Sequence, residues 1–125
     1  MILDTSALSA FIDGEPGVGA RLSAQAQATI PVVVLGEFRF GISDSRHHAR
    51  YERWLDEHLP DFEILPVTAA TAIVYARLRG ALKRLGRPIP ANDAWIAALA
   101  LEHQQPILSR DEHFDAVAGL RRETW

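Results

Sequence analysis

The chain contains no cysteine. That excludes disulfides, thiolate zinc sites and cysteine nucleophiles, and it fits a reducing cytoplasm. It has no apolar run near the roughly 18 residues of a membrane-spanning helix. The N-terminus lacks the basic stretch of a secretory signal, and Asp4 would interrupt an apolar one. Nor is there an excess of positive charge. Net charge is −3, so attraction to nucleic acid must come from a local basic patch. Glycine-rich phosphate loops, a Gly-x-Ser-x-Gly elbow, internal repeats and low-complexity linkers are also missing. What remains is 125 residues, 48% hydrophobic and 23% charged. These values suit one soluble globular domain, 1–125, with an ordinary core.

Apolar stretches alternate between strand and helix patterns. Met1–Leu3 reads as a strand running into Asp4-Thr5-Ser6, followed by helical turns over Ala7–Ile12. Pro16–Ala28 reads as a second helix, and Ala28–Ile30 as a short strand. Pro31 suits a helix start. Val34, Phe38 and Ile42 recur every four residues, a helical face, although Val32-Val33-Val34 permits a strand in the first half. Ser43-Asp44-Ser45 breaks the chain before a helix over Arg46–Leu59. Phe62–Leu65 alternates as a strand. Thr68 can cap a helix over Ala69–Leu85, with an apolar stripe of Val74, Leu78, Leu82 and Leu85, stopped by Gly86-Arg87-Pro88. Pro90–His103 is a strongly apolar helix, Pro106–Ser109 a short buried strand, Phe114–Val117 a helical turn, and Leu120–Trp125 an edge strand. This alternation predicts an α/β fold, three layers around a mostly parallel sheet.

Four carboxylates interrupt or border these apolar segments: Asp4, Glu37, Asp93 and Asp111. Carboxylates are seldom buried unless paired or bound to metal. Asp4 and Asp111 each follow a predicted strand. In open α/β sheets such positions emerge at the edge where sites form. Asp93 lies in the first turn of its helix, and Glu37 sits among Val, Leu and Phe with Gly36 and Gly41 leaving room beside it. Each acid also has an ordinary structural use. Asp4 and Asp111 can cap the turns that follow them, Asp93 can complement a helix dipole, and Arg39 or Arg110 can pair with Glu37.

Leu3-Asp4-Thr5-Ser6, Glu37 in an apolar helix, Asn92-Asp93-Ala94-Trp95-Ile96-Ala97-Ala98 and Ser109-Arg110-Asp111-Glu112-His113-Phe114 together resemble the PIN-domain ribonucleases, more narrowly the VapC toxins of toxin–antitoxin pairs. The resemblance covers nearly the whole chain. It implies a small PIN-like α/β/α sandwich with an acidic pocket for Mg²⁺ or Mn²⁺. It also implies an RNA substrate, an inhibitory cognate antitoxin, a homodimer and a cytoplasmic location. Asp4, Glu37, Asp93 and Asp111 map onto the family's catalytic, metal-binding acids, and Thr5, Ser6 and Ser109 onto its small polar positions. Asp4 and Asp93 are the first choice as direct ligands, with Glu37 or Asp111 at a second metal or holding a water.

A basic strip, Arg77, Arg79, Lys83, Arg84 and Arg87, is either a phosphate-contacting surface or a solvated helix face. Of these, Arg79, Lys83 and Arg84 are the candidate RNA contacts, together with Arg110 beside Asp111. His47 and His48 read as surface residues. His113 stands close to Asp111 but lacks a second histidine at zinc-site spacing. Phe38, Phe40, Tyr51 and Trp54 are candidates for a groove that takes an amphipathic antitoxin helix. Two other readings compete. One is a haloacid-dehalogenase-like phosphatase, which needs a second Asp where Ser6 stands. The other is a non-catalytic PIN-fold module that binds RNA or protein.

Overall fold

The structure, a computed structural model, describes residues 1–24 and 27–125. Strands β1 (Ile2–Leu3), β2 (Thr29–Pro31), β3 (Glu63–Leu65), β4 (Ile107–Leu108) and β5 (Arg122–Glu123) form a sheet in the order β3-β2-β1-β4-β5. Every pairing is parallel, with Ile2 against Thr29 on one side and Ile107 on the other. Helices α1 (Thr5–Ile12), α2 (Val18–Ser23), α3 (Val32–Ile42), α4 (His48–His58), α5 (Ala69–Arg84) and α6 (Ala91–Glu102) flank the sheet. The expected three-layer α/β sandwich is the fold the chain adopts. No helix among the described residues is long and apolar enough to cross a membrane.

The strand residues Ile2, Leu3, Ile30, Ile107 and Leu108 are wholly buried. Central strands are mostly apolar because a parallel sheet is covered on both faces, and the buried Thr29 of β2 is satisfied by donating to the Met1 carbonyl at 3.1 Å. The alanines of α6 let it lie close to its neighbours: Ala94, Ala97 and Ala98 are fully buried, along with Leu99. Arg122 fastens the edge strand β5. Its Nε and Nη2 donate to the two oxygens of Asp115, each at 2.8 Å, and its Nη1 donates to the Ser109 carbonyl at 3.1 Å.

Several expected boundaries shift for identifiable reasons. Pro31 closes β2 opposite Leu65 and stands at the threshold of α3, so the β-branched triplet after it is helical throughout. Its missing N–H costs nothing there, at the end of the ladder. The second helix stops at Ser23, short of the expected Ala28. Gln25 and Ala26, within that expected helix, lie outside the described residues. The turn near Phe114 is a 3₁₀ helix over Glu112–Ala116, and β5 is only two residues long. Thr68 does stand at the cap of α5, where its backbone N–H donates to Thr71 Oγ1 at 3.1 Å. Leu85 leaves the apolar stripe and is 67% exposed, because the helix has ended before it.

The four aromatics expected to line a groove divide between core and surface. Phe38 is 4% exposed and meets the Tyr51 ring edge-on, with centroids 5.8 Å apart. Trp54 packs between Phe11, Phe62 and His58. Tyr51 and Trp54, half-buried, also line an open cavity of about 200 Å³ with Ile12, Arg50, Arg53 and Glu57, and Phe40 points outward at 82% exposure.

Candidate active site

The sheet fixes where the acids meet. From β1 the chain builds outward through β2 and β3, then crosses to the other side of β1 for β4 and β5. Strands β1 and β4 therefore flank the point where the order reverses, and a crevice opens beyond their carboxyl ends. Asp4 leaves β1 there, and its N–H donates to the Leu108 carbonyl of β4 at 3.3 Å. Ser109 and Asp111 leave β4 at the same edge. Helix α6 returns antiparallel to the strands, which brings its first turn, with Asp93, to that edge. Glu37 arrives from the other side, on the second turn of α3.

Asp4 is 5% exposed and held by three donors. Oδ1 accepts from the Ser6 hydroxyl at 2.7 Å and from the Ala7 N–H at 2.8 Å, and Oδ2 accepts from the fully buried Ser109 hydroxyl. Asp4 thus caps α1 at the sheet edge where the crevice opens. Burial raises its carboxyl above the ordinary carboxylate range. The three donors oppose the rise, and the charge on Asp111 adds to it. Burial likewise raises Asp93. A hydrogen bond from His113 opposes this, and the charges on Asp111 and Glu37 reinforce it. Thr5 donates to Glu37 Oε1 at 3.4 Å. All four acids are therefore linked, by direct charge–charge influence or through one side chain.

Among the described residues no lysine or arginine pairs with any of the four. The arginines that could have neutralised Glu37 are committed elsewhere. Arg39 pairs with Glu52, and Arg110 pairs with Glu15 while lying 4.3 Å over the Trp125 ring. A cluster of carboxylates without a permanent cation, on a crevice rim, suits a divalent ion: the donors are hard oxygens, and their mutual repulsion raises the value of a bound charge.

Asp93, Asp111 and His113 bring their ligand atoms within 4.8 Å of one another. Both oxygens of Asp4 accept hydrogen bonds, and Oδ2, with one donor, keeps a lone pair that a cation can use. His113 Nδ1 lies 3.1 Å from Asp111 Oδ1 and 3.4 Å from Asp93 Oδ2. Sequence spacing placed His113 close to Asp111 but gave no reason to expect Asp93 beside it. Its contact with Asp93 spans 20 residues and is made by the 3₁₀ turn that Asp111 caps.

The basic residues divide. Arg79 and Lys83 line an adjoining cavity of about 400 Å³ that shares Pro88 and Ile89 with the one beside Asp111, and Arg79 is tied to the Tyr75 hydroxyl at 2.6 Å. Arg84 is exposed on the last turn of α5. None of the three reaches the acids. Arg87, the member of the strip not chosen as a contact, does line the open cavity of about 670 Å³ beside Asp111 and His113, as does Arg110.

Comparison with known proteins agrees with this architecture. The PIN domain matches residues 1–120. Ribonuclease VapC5 of Mycobacterium tuberculosis is 35% identical over 120 residues, 94% of this chain and 87% of that protein. The crystal structure of VapBC2 from Rickettsia felis, bound to a DNA fragment from its promoter, superposes with a TM-score of 0.90. It is 26% identical and covers 99% of this chain and 97% of that one. VapBC-5 of M. tuberculosis, a member of the VapBC family of toxin–antitoxin systems, superposes at 0.72. It is 32% identical, over 98% of this chain and 94% of that one. The chain belongs to the PIN-domain family, among relatives of the VapC ribonucleases.

Proposed function

We propose that this chain is a divalent-metal-dependent endoribonuclease, the toxin of a toxin–antitoxin pair. The observation that carries the reading is the convergence of Asp4, Glu37, Asp93 and Asp111 at the β1–β4 switch point, with no arginine or lysine among the described residues neutralising them. The relatives named ribonuclease and toxin–antitoxin support it. The family match sets the phosphatase reading aside, and the four acids argue against a purely binding module.

The residues divide the work. Asp93 and Asp111 present oxygens at the crevice to Mg²⁺ or Mn²⁺. Asp4, buried and fixed by Ser6, Ser109 and the Ala7 N–H, supplies negative potential behind them in a fixed orientation. Glu37, steadied by Thr5, faces them from α3 and orients the attacking water. Arg87 faces the same cavity and suits an approaching phosphate. The chemistry a bound divalent cation supplies is activation of a water and neutralisation of charge on the departing 3′ oxygen.

The proposed protein partner is an antitoxin that presents an amphipathic helix to α3, where Phe40 is exposed, followed by a basic side chain that pairs with the acids. A second copy of the chain and a cytoplasmic setting complete the reading.

Water attack with loss of the 3′ oxygen leaves a 5′-phosphate and a 3′-hydroxyl. Analysis of the cleaved ends tests this. Ends of that kind support the reading, whereas 2′,3′-cyclic phosphates would mean attack by the RNA's own 2′-hydroxyl and contradict it.

A further inference from the structure

His113 is a nitrogen donor set among oxygen donors. Its Nδ1 stands 3.1 Å from Asp111 Oδ1 and 3.4 Å from Asp93 Oδ2. Neighbouring ligands on a six-coordinate cation with bonds of about 2.1 Å are about 3.0 Å apart, so these separations are close to the edges of such a coordination shell. The His113 side chain is 54% exposed, and two features hold its backbone in place. Asp111 Oδ1 also accepts the backbone N–H of His113 at 2.9 Å, and the next residue, Phe114, is fully buried. The ring therefore belongs to a capped turn anchored in the core, facing Asp93 on a helix that is itself largely buried.

We infer that His113 is a direct ligand, through Nδ1, of the cation held by Asp93 and Asp111, and that this nitrogen makes the site favour Mn²⁺ over Mg²⁺. The inference rests on the divalent-cation reading above and deepens it. Mg²⁺ prefers oxygen ligands and sheds water reluctantly. A transition cation accepts imidazole more readily, so one nitrogen replacing an oxygen shifts the balance toward it. The ring lies beside Arg87 on the cavity wall, so the cation would sit where an incoming phosphate can reach it.

The test is Mn²⁺ binding to the purified full chain, followed by EPR, with Mg²⁺ as competitor. Wild type, His113→Gln and His113→Ala are compared, with circular dichroism as a check on folding. Pulsed EPR of bound Mn²⁺ should report a directly coordinated ¹⁴N in wild type and none in either variant. Mn²⁺ affinity should fall about tenfold or more in the variants, at least the loss that follows removal of an outer-shell partner. Mg²⁺ affinity should change by less than about threefold. Bound Mn²⁺ without ¹⁴N coupling in wild type overturns the inference even if the variants misfold, and leaves the divalent-cation reading standing. Equal losses for the two cations also overturn it. Failure of wild type to bind either cation overturns that broader reading, and this inference with it.

Discussion

The Ser109 hydroxyl donates to Asp4 Oδ2, joining two residues 105 positions apart where strands β1 and β4 end. Both are buried, so this bond holds the rear acid of the cluster and closes the crevice floor. Ser109→Ala strands a carboxylate oxygen away from water. It should cost about 1–3 kcal/mol of stability, the penalty for an unsatisfied buried group. A double-mutant cycle with Asp4→Asn measures the link. Losses that add within about 0.5 kcal/mol would mean the two are not coupled.

Asp4 and Asp93 oppose folding when they are ionised and no cation is present. Both have carboxyls raised by burial, so the folded state holds more protons than the unfolded state between the ordinary value near 3.9 and the raised one. Their contribution to stability is therefore most favourable below that ordinary value and is lost as pH rises through the raised one. In EDTA, Asp93→Asn should melt about 2–6 °C above wild type at pH 7. The gap should close as pH falls below about 4. Melting the two proteins across that range checks it. A variant that melts lower at pH 7 would mark Asp93 as a structural partner.

Arg87, not the outer strip, should matter for RNA. It lines the cavity beside Asp111 and His113, while Arg79 and Lys83 line another. Arg87→Gln should weaken RNA binding and reduce its salt dependence by about one charge. Lys83→Gln should leave both nearly unchanged. Filter binding across a salt series reads both quantities, and a larger effect at Lys83 would restore the strip.

Phe40 tests the docking face. At 82% exposure it can be replaced without disturbing the core, unlike Phe38 at 4%. Phe40→Ser should shift stability by less than about 0.5 kcal/mol and leave cleavage intact. It should weaken neutralisation by the product of the adjacent gene. A variant still fully neutralised in co-expression would place the antitoxin elsewhere.

The acids were legible in the sequence because each breaks a local rule. Asp4 and Asp111 end apolar strands, and Glu37 puts a charge into an apolar helix. The sheet layout followed from the alternation of strand and helix patterns. The grouping within the site was not legible. The bond from Ser109 to Asp4 was not legible, because the two residues stand 105 positions apart. Arg110 does line the cavity beside Asp111, but its ties to Glu15 and Trp125 were not legible because both are distant in sequence. His113 was passed over because its contact with Asp93 exists only once α6 and the 3₁₀ turn are packed. How Tyr51 and Trp54 share themselves between core packing and an open cavity was not legible, because helical periodicity does not say which neighbour covers a face. Long-range pairing, which periodicity does not encode, decides each of these cases.

Cleavage of a defined RNA by wild type and Asp93→Asn, with Mn²⁺ or Mg²⁺ and again in EDTA, is the most direct test of a carboxylate-held cation at the centre of the activity. Wild type should cut with either cation, stop in EDTA and recover when the cation is restored. Asp93→Asn, folded, should lose at least about a hundredfold in rate, because it removes a charge that holds the cation. Full wild-type activity in EDTA, or an Asp93→Asn protein that cuts as well as wild type, would contradict the account.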